Sequence, residues 1–215
     1  MNYFNLIFSN KSILRIFQLE IFKRIKISGD VIEFGASEKI DKNFCYSYSK
    51  DCKITYSNIN PLNEEFLNVD LQKKISLEIK YDHVVIFNVL EHLLDANLAI
   101  RNLSSVCKKN GKIIGSTPFL FRVHGAPKDY SRFTKDHLVE LLTSNNFKNI
   151  EIIELGTGPF LACISLLRSY LKYLPIFYQL LILLSLFFDK LIKLFIKTDP
   201  KKIYPIGYVF IATNT

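Results

Sequence analysis

Apolar positions follow two different rhythms along the chain. Between residues 13 and 25, Ile13, Leu14, Ile16, Phe17, Ile21, Phe22 and Ile25 recur at helical spacing with Lys and Arg between them, which predicts an amphipathic helix ending near Ser28-Gly29. VIEFG (31–35) is a short apolar run stopped by glycine, as a buried parallel strand is before its turn. KITYSNINP (53–61), Val84–Phe87 within YDHVVIFNVLEH (81–92), and KIIGSTP (112–118) predict further strands. The stretch LLDANLAIRNLSSVCKK has helical periodicity, and Asn110-Gly111 reads as its left-handed cap. Thr134 is placed to cap a helix over KDHLVELLTSNN, FKNIEIIEL (147–155) has partial strand alternation, and KIYPIGYVFIAT (202–213) returns to strand. Strand, helix, strand, repeated, predicts an α/β chain with an open, mostly parallel sheet and helices on both faces.

The stretch from Pro159 to Lys197 breaks that rhythm, being apolar almost throughout. Its longest uncharged run, Tyr173–Phe188, has sixteen residues and includes Pro175 and Gln179. A spanning helix needs about 20 apolar residues, so the run falls short of a membrane crossing. Pro159 and Pro175 suit first helical turns, which predicts two helices over roughly 160–173 and 175–197. The expected layout is an amphipathic helix over 1–28, then one domain over 29–215 with a hydrophobic helical insert over 159–200 before the last strand.

Charge sharpens the reading of both apolar segments. The formal net charge is +8. Residues 1–28 carry Lys11, Arg15, Lys23, Arg24 and Lys26 against Glu20, and 159–202 carry seven basic residues against Asp189 and Asp199, while the remainder is close to neutral. Excess charge on apolar segments points to an anionic lipid surface and away from nucleic acid. In the second predicted helix Lys190, Lys193 and Lys197 share one face, as they would on a lipid surface. A lid over the site and a homodimer interface are the other readings of 159–197. The four cysteines, Cys45, Cys52, Cys107 and Cys163, form no metal-ligand spacing and read as buried thiols in a reducing compartment, so no metal is expected. The N-terminus lacks a secretory signal pattern, which places the expected protein in the cytoplasm, peripheral on the inner face of a membrane.

Ligands in an open α/β sheet bind outside the carboxyl ends of the strands, so polar residues there are the candidates. They are Glu33, Gly35 and Ser37 after the first strand, Asn58 after the second, Asp70 beyond it, and Asn88 to His92 after the Val84–Phe87 strand. VIEFGAS, NINP, NVDLQ, YDHVVIFNVLEHL, KKNGKIIGSTP and NNFKNIEI together resemble the successive motifs of a class I S-adenosylmethionine-dependent methyltransferase over about 28–155 and the closing strand. The resemblance implies a Rossmann-like, doubly wound, seven-stranded sheet with its last strand antiparallel and S-adenosylmethionine as cofactor. It further implies that Glu33, Gly35 and Ser37 line the methionine moiety, Asn58 the ribose, Asp70 and Leu71 the adenine, and Asn88 the floor beneath the sulfonium. Two departures stand out. The first motif has Gly35 followed by Ser37 and Lys39 where the family has further glycines, and Asn58 stands where the family has a carboxylate.

The loop 121–134 resembles the H-x-x-P-x-D-x-x-R-F-T loop of a methyltransferase type 11-like subgroup associated with surface-polysaccharide or lipid-linked small-molecule pathways. It offers His124 as a base for an acceptor hydroxyl, Asp129 to orient the imidazole, and Arg122 and Arg132 to hold an anionic acceptor. Glu91-His92 reads as a polar pair at a helix start. The expected activity is methyl transfer to a small or lipid-linked acceptor, at oxygen before nitrogen or carbon. A catalytically inactive, membrane-associated binding or scaffold protein of the same fold is the alternative, and an RNA-modifying enzyme the third reading.

Overall fold

The computed structural model describes residues 11–37, 47–125 and 127–215, so Cys45, Lys39 and the first ten residues of the expected N-terminal helix lie outside the described residues. In chain order the elements are α1 (Ile13–Phe22), β1 (Lys26–Ile27), β2 (Asp30–Phe34), β3 (Ser47–Tyr48), β4 (Lys53–Asn58), β5 (Leu67–Asn68) and β6 (Tyr81–Phe87). A 3-10 turn over Leu90–His92 leads to α2 (Ala96–Val106), β7 (Cys107–Pro118), α3 (Lys135–Thr143), β8 (Phe147–Leu155), α4 (Pro159–Leu171), α5 (Pro175–Ile192), α6 (Pro200–Ile203) and β9 (Gly207–Asn214).

The main sheet has seven strands in the order β5-β4-β2-β6-β7-β9-β8. Strands β5, β4, β2, β6 and β7 are parallel, and β9 runs antiparallel to both β7 and β8. This is the doubly wound sheet with an antiparallel last strand that the sequence implies. Alternation along the central strands decides which face each residue serves. Ile32, Val84, Ile86 and Ile113 pack with Ile100 and Leu103 of α2 and Leu138 of α3. Val31, Val85, Phe87 and Ile114 pack on the other face with Ile13, Leu14 and Phe22 of α1, Leu161 of α4 and Ile182 of α5. The N-terminal helix is therefore part of the domain's core.

Caps explain several boundaries. Ser12, Asp95 and Thr134 accept from the backbone N–H groups of Arg15, Leu98 and His137 at the starts of α1, α2 and α3. Helix α4 begins at Gly158-Pro159 without a side-chain cap of its own, and Asp189 of α5 supplies the missing acceptor. Its carboxylate accepts from Phe160 N at 3.0 Å, Leu161 N at 3.2 Å and the Thr157 hydroxyl at 2.6 Å.

Two expectations need correction. Asn110 does adopt a left-handed backbone (φ 62°), but α2 ends at Val106 and β7 starts at Cys107, so Asn110-Gly111 belongs to an irregular strand edge and not to a helix cap. The pairing of β6 with β7 shifts register there, between Tyr81 and His83. The cysteines are not uniformly buried. Cys107 is buried, and burial pushes its thiol up to about 12, whereas Cys52 is half-buried and Cys163 is exposed.

Candidate active site

Registers place the strand ends abreast. Phe34 pairs with Ser57 on one side and Ile86 on the other, so Gly35, Asn58 and the Phe87-Asn88 step leave the sheet side by side. Asn58 pairs with Asn68, which brings Asp70 to the same edge. Gly35 has φ +69°, and a Cβ there would stand 2.4 Å from Val89 Cγ2. Only glycine fits both the left-handed turn and that close approach. Gly35 and Ser37 are exposed at this edge.

The polar side chains at this edge are tied in. Asn58 donates to Ala36 O at 3.0 Å and accepts from Ile59 N at 2.8 Å, clipping the β2 turn to β4. Asn88, also left-handed at φ 53°, accepts from Gln18 Nε2 at 2.7 Å, and Gln18 in turn reaches Ser116 Oγ at 3.0 Å. Gln18 is fully buried in α1, a site residue that the helical periodicity alone did not reveal. Asp70 accepts from Gln72 N at 2.9 Å and faces Lys73 at 3.5 Å, while the Leu71 side chain belongs to the core. Glu33 is half-buried, and its burial pushes the carboxyl up to about 7 against the opposing pull of Arg15. A left-handed glycine, an exposed serine and amide oxygens with a second lone pair suit an amino-acid-bearing nucleoside along this edge.

The second constellation lies three residues beyond Asn88. Glu91 is fully buried in the 3-10 turn, and neither carboxylate oxygen has a hydrogen-bond partner. Burial pushes its carboxyl up to about 8. The loop after β7 folds over it, with Tyr130 N at 2.7 Å and Ser131 N at 3.3 Å from the Glu91 carbonyl. That brings His124 Nε2 to 3.9 Å from Glu91 Oε1, and His92 Nε2 lies 3.7 Å from the same oxygen. The two imidazoles meet edge to face at 4.9 Å.

Asp129 orders this loop. It accepts from His124 N at 2.8 Å, its Oδ2 faces His124 Nδ1 at 3.4 Å, and Arg132 grips both of its oxygens. The Arg132 guanidinium holds Asp129 well below the usual carboxylate range. Arg132 also donates to Ser131 O and Arg122 O, so its position is that of a clasp within the loop. Phe133 is buried in the core and anchors the loop's far end. Arg122 is exposed and lines a hollow of ≈ 210 Å³ with Ser12, Ser165, Arg168, Ser169 and Lys172, where the loop meets α4. Burial, then the neighbouring His92 imidazole, lowers His124 below the ordinary histidine value.

The insert holds to the domain by a narrow stripe. Tyr178, Ile182, Ser185 and Asp189 are the buried residues of α5, spaced along one helix edge. Most of the rest of the helix faces outward, with Gln179, Leu181, Leu186 and Ile192 half-buried, and, contrary to the expectation from the sixteen-residue uncharged run, its eighteen residues are long and apolar enough to cross a membrane by length and composition.

No family model matches the sequence, and no curated protein matches it. Many solved structures share its fold. They include a phosphoethanolamine N-methyltransferase 2 from Haemonchus contortus bound to phosphomonomethylethanolamine and S-adenosylhomocysteine (TM-score 0.55, 14% identity, 92% of this chain and 52% of that one). The CurJ carbon methyltransferase (TM-score 0.59, 9% identity, 94% and 55%) and the [4+2]-cyclase SpnF (TM-score 0.56, 10% identity, 92% and 79%) are others. The chain spans about half the length of the first two. At these identities the likeness speaks for the fold: the chain has the class I methyltransferase fold.

Proposed function

We propose that the chain is an S-adenosylmethionine-dependent methyltransferase that works on a membrane surface and methylates an oxygen of a small or lipid-linked acceptor. The observation that carries this reading is the row of strand ends, with a left-handed Gly35 in the middle and a buried Glu91 beside two histidines at its edge. Main-chain amides after Gly35, with Glu33 and Ser37, hold the amino-acid end of the cofactor. Asn58 serves the ribose, Asp70 and the Leu71 backbone the adenine, and Asn88 the floor under the reacting carbon. When bound, the cofactor supplies an electrophilic methyl group on sulfonium sulfur. The protein's task is then to orient the acceptor, exclude water and take up a proton. His124, oriented by Asp129, stands where an acceptor hydroxyl would reach the cofactor side, since Glu91 is two residues from Val89, which abuts Gly35.

The membrane half of the reading rests on the insert. Ile176, Leu194 and Phe195 are 82%, 76% and 80% exposed, and Phe177, Leu180, Phe187 and Leu191 extend the same surface. An apolar face of this extent, rimmed by Lys190 and Lys197, suits the acyl boundary under anionic head groups. Helix α5 lies on the membrane in this account and does not cross it, because Asp189 and the buried stripe tie it to the domain whose sheet β9 completes. The hollow around Arg122, Arg168 and Lys172 sits between insert and acceptor loop, suited to a phosphate or carboxylate of the acceptor. In this reading the protein works on the cytoplasmic face, with no nucleic acid as partner, which the excess of Lys and Arg on its apolar segments supports.

One observation favours a binding protein without catalysis. The Asn58 side chain already has partners on both ends, and it stands where a ribose carboxylate is expected. Incubation with methyl-labelled S-adenosylmethionine and a membrane lipid extract separates the readings. Label in the lipid or small-molecule fraction supports the transferase; none, with labelled cofactor still bound, supports the binding protein. Flotation with anionic vesicles and not with neutral ones checks the membrane half, and a stable dimer that does not float would transfer 159–197 to a subunit interface.

A further inference from the structure

The buried site around Glu91 has an imbalance that the proposed methyl transfer does not itself explain. In the neutral His92 ring, Nδ1 lies 2.6 Å from the Lys128 carbonyl, which can only accept, so Nδ1 carries the proton and Nε2 presents a lone pair. His124 Nδ1 stands 3.4 Å from Asp129 Oδ2 without a hydrogen bond, and its Nε2 is turned to Glu91. Both Nε2 atoms converge on Glu91 Oε1, which is buried, with the Thr117 hydroxyl acting on its carboxyl. One ligand atom from each of the three residues lies within 4.8 Å of the others. Three groups that can accept, aimed at one point, call for something positive between them. A single proton on Glu91 serves at most one of the two imidazoles.

We propose that Glu91, His92 and His124 form a binding site for a first-row divalent cation of the zinc type. Two imidazoles and one carboxylate are a donor set that such ions favour over magnesium or calcium. Ligand atoms about 2.0–2.1 Å from one ion stand roughly 3–4 Å apart, so the observed 3.7 and 3.9 Å need little contraction. Behind the His92 ring a backbone carbonyl fixes the tautomer that leaves Nε2 free, and behind the His124 ring the Asp129 carboxylate stands 3.4 Å from Nδ1, where a small ring rotation would bring it into hydrogen-bond distance. Three protein ligands leave a position open for a water or an acceptor oxygen. The inference rests on the transferase reading only for that last step. There a bound ion would polarise a coordinated acceptor hydroxyl, whose proton would pass to solvent as the methyl group is transferred, and His124 would be its ligand in place of acting as the base.

The test uses the full, untagged chain, stripped with a chelator and titrated without cofactor, with Zn²⁺ by calorimetry and with Co²⁺ by visible absorption. One equivalent should bind, with cobalt ligand-field bands in the visible. Glu91→Gln and His124→Ala should abolish saturable binding, and Asp129→Asn, which leaves all three ligands in place, should weaken it about 10-fold or more. Glu91→Gln keeps the shape of the side chain, so a melting curve like that of the wild type checks that loss of binding is not loss of fold. Equal binding by wild type and His124→Ala, or no saturable binding by wild type, overturns the site. S-adenosylhomocysteine titrated separately keeps the two claims apart: a chain that binds the nucleoside but no ion defeats this inference alone, and one that binds the ion but no nucleoside defeats the transferase reading alone.

Discussion

The acceptor loop over 121–134 and the helical insert over 159–192 break opposite rules of protein interiors. The loop is polar and turns its groups inward until nearly all are paired: Asp129 to Arg132 and to His124 N, His92 to Lys128 O, Arg132 to Arg122 O. What remain unmatched there, among the described residues, are the buried Glu91 carboxyl and His124 Nδ1. The insert is apolar and buries only a thin stripe, leaving large side chains such as Ile176 and Leu194 in the open. Buried polar groups without partners and contiguous exposed apolar surface are both unfavourable, and each is retained where something else completes it. The comparison teaches that the two regions leave different groups unmatched, a buried carboxyl in one and exposed apolar side chains in the other, although both adjoin the hollow at Arg122.

The first way to break this comparison is to detach the insert. Asp189→Ala leaves the Thr157 hydroxyl and the Phe160 and Leu161 N–H groups without their acceptor and should cost about 3 kcal/mol in denaturant unfolding. A loss under about 0.5 kcal/mol would mean that the stripe, and not the cap, holds the insert. At the strand ends, Gly35→Ala puts a methyl against Val89 Cγ2 in a left-handed turn and should cost about 2 kcal/mol together with nucleoside binding. In a Val89→Ala background the same change should cost about 1 kcal/mol less, since the two sites are in contact.

Glu33 gives a pH test. Its carboxyl is raised from 4.5 to about 7 in the folded chain, so burial penalises the charged form. Below pH 4.5 both states are protonated and the penalty is absent; as pH rises towards 7 the unfolded chain loses its proton first, and stability falls. Glu33→Gln should remove that decline, at most about 3 kcal/mol between those limits, in melting curves recorded against pH. The smallest effect on folding is expected on the insert's rim. Lys190→Glu with Lys197→Glu should change stability by less than about 0.5 kcal/mol yet abolish flotation with anionic vesicles. Undiminished flotation would remove the lysines from the lipid contact.

Much of the sheet was legible because its central strands are buried on both faces and so read as continuous apolar runs, VIEF and VVIF. The insert's helices were legible to within a few residues at their starts, where Pro159 and Pro175 stand. The boundary at Cys107 was not, because the helix passes into β7 without a break and Asn110 takes its left-handed turn inside the strand. Glu91 does stand at a helix start, in the 3-10 turn, but its burial was not legible, for a different reason. It looks like a helix-start acid, and only a loop some forty positions later buries it. An acid embedded in the apolar run VVIFNVLEHLL was the available signal. Gln18 escaped similarly, since its partners Asn88 and Ser116 are distant in sequence.

The central claim is that the turn after Phe34 holds an amino-acid-bearing nucleoside despite its single glycine. Calorimetric titration of the full chain with S-adenosylhomocysteine tests it most directly. The account predicts saturable binding at one equivalent that Gly35→Ala removes while the variant remains folded; no heat and no thermal shift with wild type would contradict it.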